Sequence, residues 1–297
     1  MDVESHLEAG RIAGQVREMA RKRDWVGRTV CEICEEIEGE IVKRGAKCAF
    51  PVNTSINEVA AHYTAEPNDQ LTITDDDLLK IDLGAQIDGY IADTAVTVNY
   101  NPRYDYLVDA AERALKSALD VARAGVKTSH IGKVIETSVK KNNCVPIANL
   151  SGHSLDRYTI HAGRSIPNIW APSLYSLSAS SAYACEPFVT TKNGSGLVRN
   201  NKTRNIYALA SRKRTKNKDA DSLLNYIWEH FNTLPFALRW LTTHYEESEA
   251  RDLLGILVKK KSVHAYPVLV EVMGQRVAQA EHTFIPKKDG ITITTAA

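Results

Sequence analysis

No stretch of this sequence approaches the ~18 consecutive apolar residues of a membrane span. No sign of charge dominates either: 37 Lys and Arg face 36 Asp and Glu, leaving +1 over 297 residues. Whole-chain electrostatics therefore select neither nucleic acid nor a membrane surface as partner. Cysteine is scarce and odd in number, at Cys31, Cys34, Cys48, Cys144 and Cys185, which excludes a disulfide scaffold and predicts reduced thiols. Cys31 and Cys34 have CxxC spacing, but no second pair follows. The acidic helical run around them discourages a thiolate, so a structural role is expected. The opening Met1-Asp2-Val3-Glu4-Ser5-His6 is acidic and polar, unlike a secretory signal. Together these absences predict a soluble cytoplasmic protein. What is present is ordinary globular text, 43% hydrophobic and 25% charged, long enough for one large domain or two smaller ones.

Apolar periodicity predicts helices over 2–22 and 29–44, the second stopped by Gly45. A second helix pair is predicted over 103–124 and 129–141, with Gly125 between its members. Similar text follows each pair, Cys48-Ala-Phe-Pro-Val-Asn53 and Cys144-Val-Pro-Ile-Ala-Asn149, and a histidine follows each copy, His62 and His161. The offset of roughly a hundred residues points to a duplicated α+β unit. Residues 199–261 differ in character, with basic runs at 212–216 and 259–261 and helical text around 219–232 and 236–242. They read as a helical insertion whose basic runs are solvated faces, docking on ribosomal RNA being the alternative. Residues 262–297 return to strand-like text.

The chemistry starts from a predicted hairpin, 78–84 and 90–98, with Asp88-Gly89 between the strands. Pairing symmetric about the Ile87–Asp88 bond sets Asp82 directly opposite Asp93, on one face and ~5 Å apart at Cβ. Two carboxylates among Ile81, Leu83, Ile91 and Ala92 would repel unless a cation joins them. Farther along, His153, Glu186 and Glu281 each stand in apolar or small-residue text. Singly, each reads as a hydrogen-bonded core group. With the aspartates they form four carboxylates and one imidazole, a donor set that balances two divalent cations and suits Mn, Fe, Co or Zn over a structural thiolate site.

The ordered set Asp82, Asp93, His153, Glu186 and Glu281 resembles the dinuclear site of methionine aminopeptidases and their pita-bread relatives. Phe50-Pro-Val-Asn-Thr-Ser-Ile-Asn-Glu-Val-Ala-Ala-His62, Lys80-Ile-Asp-Leu-Gly, Gly152-His-Ser-Leu-Asp-Arg-Tyr-Thr-Ile-His161 and Asn232-Thr-Leu-Pro-Phe-Ala-Leu-Arg-Trp-Leu241 all look like the type II enzymes. The absence of an extension before the first helices looks archaeal. The resemblance covers essentially the whole chain. It implies an α+β, pseudo-two-fold pita-bread fold over 1–198 and 262–297, with 199–261 as the type II insertion subdomain.

It further implies two divalent ions per chain (Co, Mn, Fe, Zn or Ni). Asp82 would hold one and His153 and Glu186 the other, with Asp93 and Glu281 bridging. The expected activity is release of initiator methionine from nascent chains whose second residue is small and uncharged. A hydroxide shared by the two metals would attack, with Glu186 as proton shuttle. By the same resemblance His62 and His161 contact substrate near the scissile peptide and its carbonyl, and Phe50, Ile160 and Tyr266 line the methionine pocket. Partners expected are the N-terminal methionine of nascent polypeptides and at most a transient ribosome contact. No membrane, no specific nucleic acid and a monomeric state are expected. Because Asp2 is not small and uncharged, the chain is expected to keep its own Met1. The rivals are a catalytically inactive pita-bread binding or ribosome-associated protein, which would have lost ligands, and an X-Pro peptidase of the same fold.

Overall fold

The computed structural model describes residues 2–297. Met1, and with it the expected retention of the initiator, lies outside them. Two helix pairs organise the chain: α1 (Val3–Lys22) with α2 (Val30–Lys43), and α3 (Asp105–Val121) with α4 (Thr128–Lys141). The helix α2 starts where the sequence supplies a capping box. Thr29 Oγ1 accepts from the Glu32 amide (3.2 Å) while the Glu32 carboxylate accepts from the Thr29 amide (2.9 Å).

The first pair covers a three-stranded antiparallel sheet in which the strand Leu78–Ile87 lies between Lys47–Ile56 and Tyr90–Asn99. Its core joins Ile12, Val16 and Trp25 to Ile33, Ile37 and Ile81. The second pair covers a five-stranded sheet containing Ser151–Leu155, Ala182–Cys185 and His282–Lys287, with a core of Leu107, Leu115, Ile131, Ile135, Tyr183 and Phe284. A helix-helix-sheet unit thus occurs twice, in the order the repeated text predicted.

The hairpin register differs from expectation. Ile87 pairs with Tyr90, so Asp88-Gly89 is a two-residue turn with both φ positive (+50° and +87°). The ladder is therefore centred one residue later than predicted. Asp82 opposes Ala95, and Asp93 opposes Gly84. The two aspartates are diagonal neighbours two positions apart, still on the same face because the side-chain period is two.

Residues 199–261 contain α5 (Lys218–Phe231), α6 (Leu238–Leu241) and α7 (Glu247–Lys259), the last a helix that the sequence pattern did not predict. They also contain strand. Ile206–Leu209 pairs on one side with Phe236–Ala237, inside a run expected to be helical, and on the other with Val263–Tyr266. This part has its own apolar cluster, including Leu223, Ile227, Phe236, Leu241, Leu254 and Val263. No helix among the described residues is long and apolar enough to cross a membrane.

Candidate metal centre

Each half delivers its polar side chains by register. In the first half the hairpin carries Asp82 and Asp93. In the second, His153 pairs with Ala184, and Cys185 pairs with His282. One step beyond that pair Glu186 and Glu281 face each other, with His153 diagonal to Glu186 on the neighbouring strand. Threonines join the halves. The Asp93 amide donates to Thr283 Oγ1 (2.8 Å), Thr94 Oγ1 donates to the Glu281 carbonyl (2.8 Å), and Thr97 Oγ1 donates to the Gln279 carbonyl (2.7 Å). These bonds hold the aspartate strand against the Glu281 segment at its midpoint.

The side chains converge at the buried end of a cavity of about 410 Å³. Asp93, His153 and Glu281 offer donor atoms that all lie within 4.8 Å of one another. His153 Nε2 is 3.6 Å from Asp93 Oδ2 and 3.3 Å from Glu186 Oε1. Gln279, which no sequence motif singled out, donates through Nε2 to both Asp82 Oδ2 (3.2 Å) and Glu281 Oε2 (3.3 Å). Its signal was the period-two alternation that sets residue 279 on the same side as 281.

The electrostatics of this cluster are unfavourable without a cation. Asp82 Oδ1, Asp93 Oδ1 and Glu281 Oε1 have no hydrogen-bond partner, and none of the four carboxylates pairs with Lys or Arg among the described residues. Burial, then the Asp82 charge, pushes Asp93 well above the usual carboxylate range. Burial followed by the neighbouring carboxylates does the same for Glu186 and Glu281. Burial lowers His153 to about 3, with the nearby His161 adding to the effect, so its ring is neutral at pH 7. Partnerless carboxylate oxygens beside a neutral imidazole fit a divalent ion, whose charge would reverse the cost of gathering them.

Of the other residues singled out, His62 follows the strand Val59–Ala61 with φ +65° and stands edge-on to Tyr266 (5.7 Å between ring centroids). Burial, then His161, lowers His62 to about 4. His161 stands edge-on to His153 at 4.5 Å. Phe50, Ile160 and Tyr266 line the same cavity, as do His62, His161 and every proposed ligand except Glu281, which lies behind them. Phe50 opposes Gly84, where a Cβ would come within 2.3 Å of its ring, so the glycine makes room for the aromatic wall. A register shift between Phe50 and Asn53 turns both toward the cavity, and Asn53 and Asn149, the matching ends of the two repeated segments, both line it.

Cys34 is buried, its Sγ 3.3 Å from the Val52 carbonyl, and burial raises the pKa of Cys31 and Cys34 alike. All five thiols are free. His282 points away from the cavity, Nδ1 lying 2.8 Å from Thr295 Oγ1 and 2.9 Å from Arg17 Nη1.

A model of metallopeptidase family M24 matches residues 4–206. Over 296 residues, 99% of this chain and 100% of the relative, the sequence is 47% identical to a methionine aminopeptidase of the archaeon Pyrococcus horikoshii. The chain belongs to the methionine aminopeptidases of family M24. Membership in this metallopeptidase family implies use of divalent metal, in agreement with the carboxylate and imidazole cluster. The methionine aminopeptidase of Thermotoga maritima superposes with a TM-score of 0.72 at 20% identity, over 100% of this chain and 97% of that one. A thermophilic Arx1 superposes with a TM-score of 0.83 at 19% identity, over 98% and 90%. At such identities both structures speak to the shared pita-bread fold alone.

Proposed function

We propose that this metallopeptidase removes the initiator methionine from polypeptides whose second residue is small and uncharged. One observation carries the reading: three carboxylates leave partnerless oxygens at the end of a cavity whose walls include His62, His161 and the apolar side chains of Phe50, Ile160 and Tyr266. Asp82, Asp93, His153, Glu186 and Glu281 would hold two divalent ions, with Asp93 and Glu281 shared. Bound there, the metals would polarise the scissile carbonyl and acidify the attacking water.

The chain's own groups do the rest. Glu186, which lines the cavity, would take the proton of the attacking water and hand it to the departing amine. His62 is neutral at pH 7 and offers one N–H and one acceptor nitrogen to the scissile peptide. His161 offers a hydrogen bond to the carbonyl oxygen as negative charge develops there. Phe50, Ile160 and Tyr266 enclose an unbranched apolar side chain and exclude water from it. Residues 199–261 act as an insertion subdomain, supported by their separate apolar cluster. The protein would work in the cytoplasm, where nascent chains emerge, as a monomer.

The test is cleavage of Met-Ala-Ser, Met-Lys-Ser and Ala-Pro-Ser by chelator-stripped protein with Mn or Co added back. Metal-dependent release of methionine from Met-Ala-Ser alone is expected. Cleavage of Ala-Pro-Ser instead would make the protein an X-Pro peptidase. No cleavage by protein shown to contain metal would favour a binding module.

A further inference from the structure

The two repeated segments each end in an asparagine, and the two amides are used differently. Asn149 is satisfied at both ends. Its Oδ1 accepts from the Val198 amide (2.9 Å) and its Nδ2 donates to the Val198 carbonyl (2.8 Å), which pins the strand Val198–Asn200. Asn53 uses one end only: its Nδ2 donates to the Pro51 carbonyl (2.8 Å), while its Oδ1 is buried and has no partner. Because a carbonyl can only accept, that bond fixes which corner of the amide is nitrogen, and the free corner is an acceptor. The residue is 4% exposed and lines the cavity. A buried acceptor left empty is costly, so the arrangement calls for a donor that arrives with a ligand. Among the described residues, five that line the cavity hold a buried polar atom without a partner: Asn53, His62, Asp82, Asp93 and His153. The last three belong to the proposed metal set, and the His62 nitrogen donates or accepts according to its tautomer. The Asn53 oxygen is the one atom outside the metal set that only a donor can satisfy.

Register identifies the donor. Asn53 pairs with Asp82, so both side chains leave the sheet on one face, and the register shift after Phe50 turns that ring to the same cavity. A substrate residue whose side chain lies against Phe50 therefore presents its own backbone to Asn53. For the first residue of a chain the only backbone donor is the α-amine, because its other end is the scissile carbonyl. We infer that Asn53 Oδ1 accepts a hydrogen bond from the α-amine of the N-terminal methionine, and that this contact helps to confine the site to free N-termini. The inference rests on the aminopeptidase reading above. A neutral acceptor suits the position, since it orients the amine without adding another negative charge to the buried carboxylates.

The experiment is calorimetric titration of Mn-loaded protein with L-methioninol and with 4-(methylthio)butan-1-ol, the same skeleton without the amine. The parent should bind the amine-bearing ligand more tightly. Asn53→Leu, close to asparagine in shape but lacking an acceptor, should weaken L-methioninol by about tenfold and leave the other ligand unchanged. Asn53→Ala should show the same selectivity. Thermal melting establishes that each variant is folded, and elemental analysis that each holds as much Mn as the parent. Asn149→Ala, which cuts the pin on Val198–Asn200, should lower the melting temperature and weaken neither ligand selectively. Equal loss of both ligands in the Asn53 variants, or no loss, would make Asn53 a wall of the pocket and overturn the assignment. Cleavage of Met-Ala-Ser by the parent separates the two readings. Protein that releases methionine but shows no selective loss in Asn53→Leu keeps the peptidase reading and loses this one. Protein that binds neither ligand loses both.

Discussion

Two buried glutamates in this molecule have opposite surroundings. Glu38, 8% exposed, receives both Arg239 guanidinium nitrogens (2.7 and 2.9 Å), the Trp240 indole (2.8 Å) and the Val52 amide (3.1 Å). Glu281, 2% exposed, receives one weak donor from Gln279 and keeps an oxygen with no partner, among three further carboxylates. The first arrangement is complete as it stands and ties α6 to α2. The second leaves a lone pair and the crowded charge without a partner, as a candidate cation ligand would. Burial of a carboxylate therefore says little; the state of its lone pairs separates a structural group from a ligand.

The largest expected effect lies on the ligand side. Asp93→Ala should reduce metal-dependent methionine release by about 10⁴-fold, since several kcal/mol of transition-state stabilisation depends on the metals it would bridge. Circular dichroism should show an unchanged fold, and calorimetry should show loss of metal binding. Full activity in this variant would remove Asp93 from the ligand set.

Next comes the contrast itself. Glu38→Ala leaves the Arg239 guanidinium buried and unpaired and should cost about 3–5 kcal/mol of unfolding free energy by urea titration, with or without metal. Glu281→Gln should act in the opposite direction in chelator-stripped protein, stabilising it by removing one of several crowded charges, and should forfeit the stabilisation that added metal confers on the parent. If both substitutions destabilise the stripped protein alike, the distinction between complete and incomplete carboxylates fails.

A smaller effect is expected from His161→Ala, which on the proposed mechanism would remove a contact to the developing oxyanion but no metal ligand. Turnover should fall by about 10²-fold, with KM and metal affinity little changed. Loss of metal on dialysis would instead make His161 a ligand.

Much of this was legible in the sequence because period-two alternation and apolar neighbours single out candidate ligands one strand at a time. Asp82 and Asp93 were placed on one face correctly even though the turn was centred one residue early. The error moved the ladder by a two-residue step between partners, which preserves the face and changes only who sits directly opposite. What stayed hidden depends on contacts between distant segments. Thr94 and Thr97 read as ordinary β-branched strand residues, and only the approach of the 279–283 segment turns their hydroxyls into fasteners. Arg239 meets Glu38 across 201 residues, and no local pattern announces it. The strand at Phe236–Ala237 has helical text because its apolar run is short, and pairing with Ile206–Tyr207 overrides local propensity.

The smallest expected effect concerns pH, and it sharpens the same contrast. Burial raises Asp82 to about 7 and, with its neighbours' charges, lifts Asp93, Glu186 and Glu281 as well. In stripped protein the folded chain therefore keeps protons that the unfolded chain releases above its ordinary carboxylate pKa of about 4. Between pH ~4 and about 7 each of these carboxylates binds a proton that its unfolded counterpart has lost, so their own contribution to stability falls as pH rises. His62, His153 and His282, lowered by burial, contribute in the opposite direction below about 6.5. The slope is about 1.4 kcal/mol per pH unit for each proton retained. Metal binding requires the deprotonated forms, so a saturating divalent ion should flatten or reverse this slope. Urea titrations of stripped and metal-loaded protein at several pH values measure it directly. Glu281→Gln removes one carboxylate and leaves the histidines in place, so it should make the pH slope of the stripped form more positive. An unchanged slope would mean that the Glu281 carboxylate already has a partner, and the difference between Glu281 and Glu38 would vanish.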